Sequence, residues 1–300
     1  MGISPQFAPF VTVWETTASD NNITIPTNSN YTYNYTVDWG DGTIENNVTG
    51  DITHIYSVDG NHTVKISGEF PTIKFYIGVD EDGDALINND AVQILSIIAW
   101  GDIIWKDMNS SLYKCINLNL NTLDIPELSF VKNMSNMFYQ NNLFHQDIGN
   151  WDVSNVTNIH GMFYGTSSFN QDIGNWNVSN VTDMGCMFMY SSFNQDIGEW
   201  NTSNVTSMAS MFGQASSFNQ DIGNWDTSNV ISMASMFQSA TDFNQNLSKW
   251  DTSSVETMFR MFKETSSLSD QNLSSWDVGN VIEHTDFMTD TGSGNTEPIC

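Results

Sequence analysis

The chain is 300 residues long and strongly acidic: 8 Lys and Arg residues stand against 35 Asp and Glu residues, giving a net charge of −27 at pH 7. This charge repels nucleic-acid phosphates and anionic membranes, so we exclude nucleic acid as a partner. No run of 18 apolar residues occurs, so we expect no membrane insertion. Apolar residues make up 39% of the chain and aromatic residues 12%. That is enough for a folded core and excludes global disorder.

The N-terminal part, residues 9–77, alternates apolar and polar residues in short segments. Turn signals separate the segments at Asp41-Gly42, Asp59-Gly60 and Ser67-Gly68. Alternation with a period of two between such turns is typical of short antiparallel strands. The sequence therefore predicts an antiparallel β-sandwich. Four apolar side chains are predicted to face its core: Val37, Trp39, Val64 and Ile66.

Three phrases in this part carry a family resemblance: VDWGDGT at residues 37–43, THIY at 53–56 and GNHTVKISG at 60–68. Together they resemble the polycystic-kidney-disease (PKD) domain, although His62 stands where that family favours an aromatic residue. The resemblance implies an immunoglobulin-like extracellular spacer or carbohydrate-adjacent module over residues 1–80, with no catalytic role.

An acidic stretch follows, and residues 81–104 are expected to form a linker and the start of a cap for the second domain. Asp80, Asp82 and Asp84 could ligate calcium, because closely spaced carboxylates supply the oxygen ligands that this ion prefers. The stretch lacks EF-hand spacing and the distal glutamate, so a solvated linker is the preferred interpretation. No zinc-ligand pattern or cofactor fingerprint is found elsewhere, and we expect no cofactor.

The second half of the chain repeats itself about every 25 residues. A Met-Phe pair recurs at Met137-Phe138, Met162-Phe163, Met187-Phe188, Met211-Phe212, Met236-Phe237 and Met261-Phe262. A tryptophan recurs with it at Trp151, Trp176, Trp200, Trp225, Trp250 and Trp276. A unit of this size cannot bury its own apolar face, so neighbouring units must stack.

The apolar spacing within one unit predicts its local structure. Val181, Met184 and Met187 follow one another at helical spacing. We therefore predict one short strand near residues 171–174 and one or two helical turns near residues 182–190. Stacked units would form a leucine-rich-repeat-type α/β solenoid over residues 105–288, with a flexible tail at 289–300. The predicted fold class is thus mixed α and β.

The phrase SFNQDIGNWNVSNVTDM at residues 168–184 recurs with few changes through the repeats. It resembles the BspA-like leucine-rich-repeat surface proteins, and the resemblance covers residues 105–288. It implies exposure on a bacterial cell surface and a role in adhesion.

Two columns of Asp and Asn run through the repeats. The first is Asp147, Asp172, Asp196, Asp221, Asn246 and Asn272, and the second is Asp152, Asn177, Asn201, Asp226, Asp251 and Asp277. They could form a cation column or a carbohydrate-binding strip. The preferred interpretation is that each side chain accepts backbone N–H groups in its own turn.

Binding residues are expected where the units differ, since the inward positions are nearly constant. One variable set follows Met-Phe and the other precedes the tryptophan. Tyr164 and Tyr190 stand out in the first set, because aromatic anchors commonly dominate interfaces and sugar platforms. Tyr164 and Tyr190 are therefore the candidate binding surface, and the preferred interpretation is that both rings simply cover the helix ends.

The cysteines do not indicate a disulfide framework. Cys115 and Cys186 lie about three repeats apart, too far to bridge. We interpret both as small buried apolar residues and expect Cys300, at the end of the chain, to be free.

These observations favour a non-enzymatic extracellular protein for adhesion or recognition, with a protein or glycan on a cell or virion surface as its partner. The alternative is a phage virion decoration or receptor-binding protein located on the virion surface. Residues 1–17 show no basic segment followed by an apolar run, so no signal peptide is expected. This favours the alternative, but prior removal of such a segment explains the same absence equally well. An enzyme is disfavoured, because no nucleophile elbow, P-loop or dinucleotide fingerprint is present.

Overall fold

The computed structural model describes residues 8–79 and 85–298, and the chain divides into two compact units with the boundary after Lys132. All named strands of the described residues lie in the first unit. They are β1 (Phe10–Thr16), β2 (Asn22–Ile25), β3 (Asn34–Asp38), β4 (Ile44–Val48), β5 (Ile52–Ile55), β6 (Gly60–Glu69), β7 (Tyr76–Val79), β8 (Ala85–Ile87), β9 (Ile94–Ala99) and β10 (Asn119–Leu120). A short 3₁₀ helix, Asn89–Val92, precedes β9.

The main sheet of the first unit has the strand order β10-β9-β1-β6-β3-β4. Its neighbouring strands are antiparallel except for β10, which runs parallel to β9. Strands β2 and β5 pair with each other in a second sheet, and β7 pairs with β8 in a third. Because β9 and β10 belong to the main sheet, this unit extends beyond the segment 1–80 expected for the N-terminal domain.

The alternation seen in the sequence places the side chains of the first unit. The four side chains predicted to face inward are buried: Val37, Trp39, Val64 and Ile66 are each 0% or 1% exposed. That prediction is confirmed. The turn after β3 is closed by Asp41, whose carboxylate accepts the Thr43 N–H at 2.9 Å and contacts His54 Nε2 at 2.8 Å.

The predicted helical turns of the repeats are wrong. The described residues contain no α-helix, and the second unit has single parallel bridges instead of the expected strands and helices. The bridges join one position of each unit to the same position of the next, through Asn133, Asn158, Asp183, Ser207, Ser232, Thr257 and Glu283. The leucine-rich-repeat-type α/β solenoid, and with it the mixed α and β fold class, is therefore corrected: the fold is almost entirely β and turn.

The physical reason lies in the eight residues around each Met-Phe pair, which we call the Met-Phe segment. In segment 183–190, Cys186 and Tyr190 have φ of +55° and +60°, which an α-helix does not contain. Met187 and Met189 close turns within the segment by donating to the carbonyls three residues before them. The alternate N–H groups donate to the next segment, and these bonds are Met184 to Ser207, Cys186 to Ala209, Phe188 to Met211 and Tyr190 to Gly213.

Aromatic columns fill the inside of the stacked units. The phenylalanines of successive Met-Phe pairs stack with ring centroids 5.5–5.8 Å apart from Phe138 to Phe262. The tryptophans are 3–5% exposed, and each indole N–H from the second unit onward reaches back to a carbonyl of the unit before. These donors are Trp176, Trp200, Trp225, Trp250 and Trp276, bonded at 3.0–3.2 Å to the carbonyls of Ile148, Ile173, Ile197, Ile222 and Leu247.

Candidate functional site

Three tyrosines meet along one side of consecutive Met-Phe segments, and we call them the tyrosine edge: Tyr139, Tyr164 and Tyr190. The rings of Tyr139 and Tyr164 stack at 4.4 Å between centroids with an interplanar angle of 8°. The rings of Tyr164 and Tyr190 lie 5.3 Å apart and are tilted by 58°. The structure thus brings together the two predicted binding residues, and Tyr190 is 43% exposed.

The local backbone sets the direction of these rings. Tyr190 is the last residue of its segment and adopts φ of +60°, a conformation that the repeat imposes on Gln140 and Gly165 at the same position. Tyr164 lies one residue earlier in its own segment, where its N–H closes a turn to the carbonyl of Gly161 at 3.1 Å. The tyrosine rings therefore belong to two neighbouring register positions.

A shallow depression of about 330 Å³ lies along the tyrosine edge, and polar groups border it. Its lining residues are Gln140, Asn142, Tyr164, Gly165, Ser167 and Tyr190. Gln214 Nε2 donates to the Tyr190 hydroxyl at 2.9 Å and so holds that ring. Burial raises the pKa of Tyr164 above its ordinary value, so this phenol stays neutral and can donate a hydrogen bond. Flat apolar faces beside amides and hydroxyls suit a sugar ring or a peptide.

Tyr139 is the member of the edge that the sequence analysis missed. It directly follows Met137-Phe138 in the same way that Tyr164 follows Met162-Phe163. An alignment of the repeats that included one more unit toward the N-terminus would have identified Tyr139. The residues at the equivalent position in later units are Met189, Gly213, Gln238 and Lys263, so the aromatic character is confined to the first units.

The Asp and Asn columns have local partners in the turns. In the first column, the backbone N–H two residues ahead donates to each Oδ1 at 2.9–3.2 Å. In the second column the same bond recurs at 2.9–3.2 Å. These hydrogen bonds confirm the interpretation that the side chains of both columns accept backbone N–H groups in their own turns.

The weak calcium candidates Asp80, Asp82 and Asp84 lie outside the described residues. Among the residues that the structure does describe, no group of three or more His, Cys, Asp or Glu side chains could hold a metal ion.

The structure separates the two cysteines that the sequence analysis treated alike. Cys115 is buried, as predicted, but Cys186 is only partly buried, so the prediction for Cys186 is wrong. The positive φ of Cys186 belongs to a repeat position that elsewhere holds polar side chains, including Asn136, Ser210 and Ser235. Asp183 and then Cys186 raise the pKa of His160, in the preceding segment, above its ordinary value.

A family model described as a Mycoplasma protein of unknown function, DUF285, matches residues 106–203 and again residues 189–299. No curated protein and no solved structure matches the chain. Within the described residues, no helix has the length and apolar character needed to cross a membrane.

Proposed function

The chain belongs to the DUF285 family of unknown function, and on that premise we propose that it is a non-enzymatic recognition protein that works outside the cell. Its partner is a protein or a glycan, and it is bound at the tyrosine edge. The observation that supports this proposal is the run of neighbouring rings from Tyr139 through Tyr164 to Tyr190, beside an open depression.

The chemistry of the edge favours an uncharged or cationic partner. Aromatic faces pack against the C–H faces of sugars and against apolar side chains, and the Tyr hydroxyls add directional hydrogen bonds. The net charge of −27 disfavours polyanionic partners at the same surface. The ring stack is preorganised by Gln214, so binding would order few additional side chains.

The test is a glycan array, followed by binding to bacterial and host cells, with two matched variants. The double variant Tyr164→Ala with Tyr190→Ala removes two of the three rings of the tyrosine edge and leaves Tyr139. Gln238→Ala with Ser239→Ala changes the equivalent positions of a later unit, so it is the control. We expect the tyrosine variant to lose at least about 30-fold in affinity, since an aromatic anchor is typically worth about 2 kcal/mol or more. The control should bind like the unmodified protein.

The melting temperature of both variants is measured alongside, because Tyr164 also packs between Tyr139 and Tyr190. Unchanged binding by the folded tyrosine variant would remove the edge as the recognition site. Equal loss in both variants would point to the stack as a whole and contradict a local site.

A further inference from the structure

The residues at the last position of the Met-Phe segments form a column, and one member of the column has no side chain. Each residue at this position adopts φ between +57° and +68° and donates its N–H to the following segment. The members are Gln140, Gly165, Tyr190, Gln214, Ser239 and Glu264. Gly165 is the one glycine of these six, so the column has an empty place between Gln140 and Tyr190.

The missing side chain leaves a space that we call the Gly165 slot, bordered by Gln140, Gly165 and Tyr190. Gln140 and Tyr190 are two segments apart, so their backbones are separated by about 9.6 Å, which is twice the spacing of paired strands. A Cβ at position 165 would lie 3.3 Å from Gln140 Cγ, so even a small side chain there would narrow the slot. All three residues line the depression of about 330 Å³ beside the tyrosine edge. The glycine at position 165 therefore helps to open this depression.

Aromatic rings and polar side chains surround the slot. The rings of Tyr164 and Tyr190 lie 5.3 Å apart but are tilted by 58°, so they do not close on each other as parallel faces. Gln214 Nε2 donates to the Tyr190 hydroxyl at 2.9 Å and holds that ring in place. The remaining lining residues, Asn142 and Ser167, add an amide and a hydroxyl. The slot thus combines flat apolar surface with hydrogen-bonding groups.

The lining carries no charge, and this selects among the possible ligands. None of the six described lining residues is acidic or basic, although the chain as a whole has a net charge of −27. A charged ligand group would lose water there without gaining an ion pair, which costs free energy. Amides and hydroxyls offer both donors and acceptors, as the hydroxyls of a sugar do, and the C–H face of a sugar packs on an aromatic ring. A neutral saccharide therefore fits the lining better than an anionic sugar or a charged peptide side chain.

We propose that the Gly165 slot takes one ring of a neutral saccharide, seated against Tyr164 and Tyr190. This proposal rests on the recognition function proposed above and names the class of partner that is bound at the tyrosine edge. The sugar ring occupies the place that a side chain holds in the other members of the column, and the amides and hydroxyls around the slot bind its hydroxyl groups. Gly165 is therefore a specificity-determining residue, because a side chain at this position competes with the ligand for the same space.

The test measures binding of the full chain to a printed array of neutral, sialylated and sulfated oligosaccharides and to a peptide array. Titration calorimetry then uses the neutral oligosaccharide that binds best. We expect neutral oligosaccharides to bind, and Gly165→Gln to lower their affinity at least about tenfold, because the glutamine fills the slot. The matched control is Ser239→Gln, which introduces the same side chain at the same position of a later segment, and it should bind like the unmodified protein.

Both substitutions are compatible with the repeat, since Gln140 and Gln214 adopt φ of +57° and +58° at this position. Melting temperatures check the fold of each variant. Gly165→Ser introduces the residue that Ser239 supplies at the same position, so it is the second variant if the glutamine disturbs folding. We expect the serine to weaken binding less than the glutamine, because it fills less of the slot.

The outcomes separate this proposal from the recognition function itself. Full affinity of the folded Gly165→Gln variant for a neutral oligosaccharide, with loss of affinity in the double tyrosine variant, would overturn the slot and keep the tyrosine edge. Preferred binding of sialylated or sulfated oligosaccharides, or of peptides, would also overturn the proposal but keep a recognition function. If no neutral oligosaccharide binds, the proposal is wrong, and the cell-binding assay alone decides the recognition function.

Discussion

Trp200 contacts both neighbouring units: its ring stacks on the following unit, and its indole N–H bonds to the preceding one. The ring is 4% exposed and stacks on Trp225 at 6.4 Å, while Nε1 donates to the Ile173 carbonyl at 3.2 Å. The apolar contact area is the larger contribution to stability, because one hydrogen bond adds only about 1 kcal/mol net and truncation of a buried tryptophan costs about 3–5 kcal/mol.

This difference predicts unequal effects of two substitutions at the same position. We expect Trp200→Ala to lower the free energy of unfolding by about 3–5 kcal/mol, and Trp200→Phe to lower it by roughly 1–2 kcal/mol, since most of the packing stays. Urea melts of the two variants measure both values. Equal losses would mean that the indole N–H, and not the ring, dominates at this site.

At the scale of the element, the turns that the Asp side chains close make stability depend on pH. Hydrogen bonds from the hydroxyl and then the backbone N–H of Ser253 lower the pKa of Asp251. Ser154 has the same effect on Asp152. A carboxyl whose pKa is lower in the folded than in the unfolded chain stabilises the fold above its unfolded pKa. That contribution is lost as the pH falls through the folded pKa.

We therefore expect stability to decline below a pH of about 4, and Asp152→Asn with Asp251→Asn to make this decline shallower. Asparagine keeps the Oδ1 acceptor and does not titrate, and Asn177 and Asn201 already occupy this position in other units. Thermal melts between neutral and strongly acidic pH compare the two proteins. Parallel curves would show that these turns do not contribute to acid sensitivity.

The repeat units also show which structural features could be predicted from the sequence. The period, the stacking of the units and the burial of Phe163, Trp176 and Met184 all follow from the apolar pattern. The prediction of helical turns was wrong, because side chains three and four residues apart lie on the same side in consecutive tight turns as well as in a helix. The positive φ of Cys186 and Tyr190 distinguishes the tight turns from a helix, and the apolar pattern contains no information about φ.

The candidate site likewise has features that the sequence predicts and features that it does not. That Tyr164 and Tyr190 lie together was predictable, because they occupy adjacent positions in consecutive units. The hydrogen bond from Gln214 to the Tyr190 hydroxyl was not predictable, since it depends on which residue of one segment lies over which residue of the next. The parallel bridge between Asp183 and Ser207 fixes that register.

For the whole molecule, the net charge of −27 makes mutual repulsion among the acidic groups a general cost of folding. Salt shortens the range of this repulsion to about 10 Å at 0.1 M ionic strength. We expect NaCl and CaCl₂ at matched ionic strength to raise the melting temperature by similar amounts, and EDTA to have no effect beyond its own ionic strength. A saturable rise specific to calcium would instead support a site at Asp80, Asp82 and Asp84.

The alternate N–H groups of each Met-Phe segment all donate toward the following unit, and the indole N–H groups all donate toward the preceding one. Each interior unit therefore donates to the following unit the same backbone hydrogen bonds that it accepts from the preceding unit. Its indole N–H donates to the preceding unit in the same way that the following unit's indole N–H donates to it. Whole units are interchangeable modules, and gene duplication could lengthen or shorten the stack without creating a new kind of interface. Substitutions at the exposed positions of each added module would then have little effect on the stability of the fold.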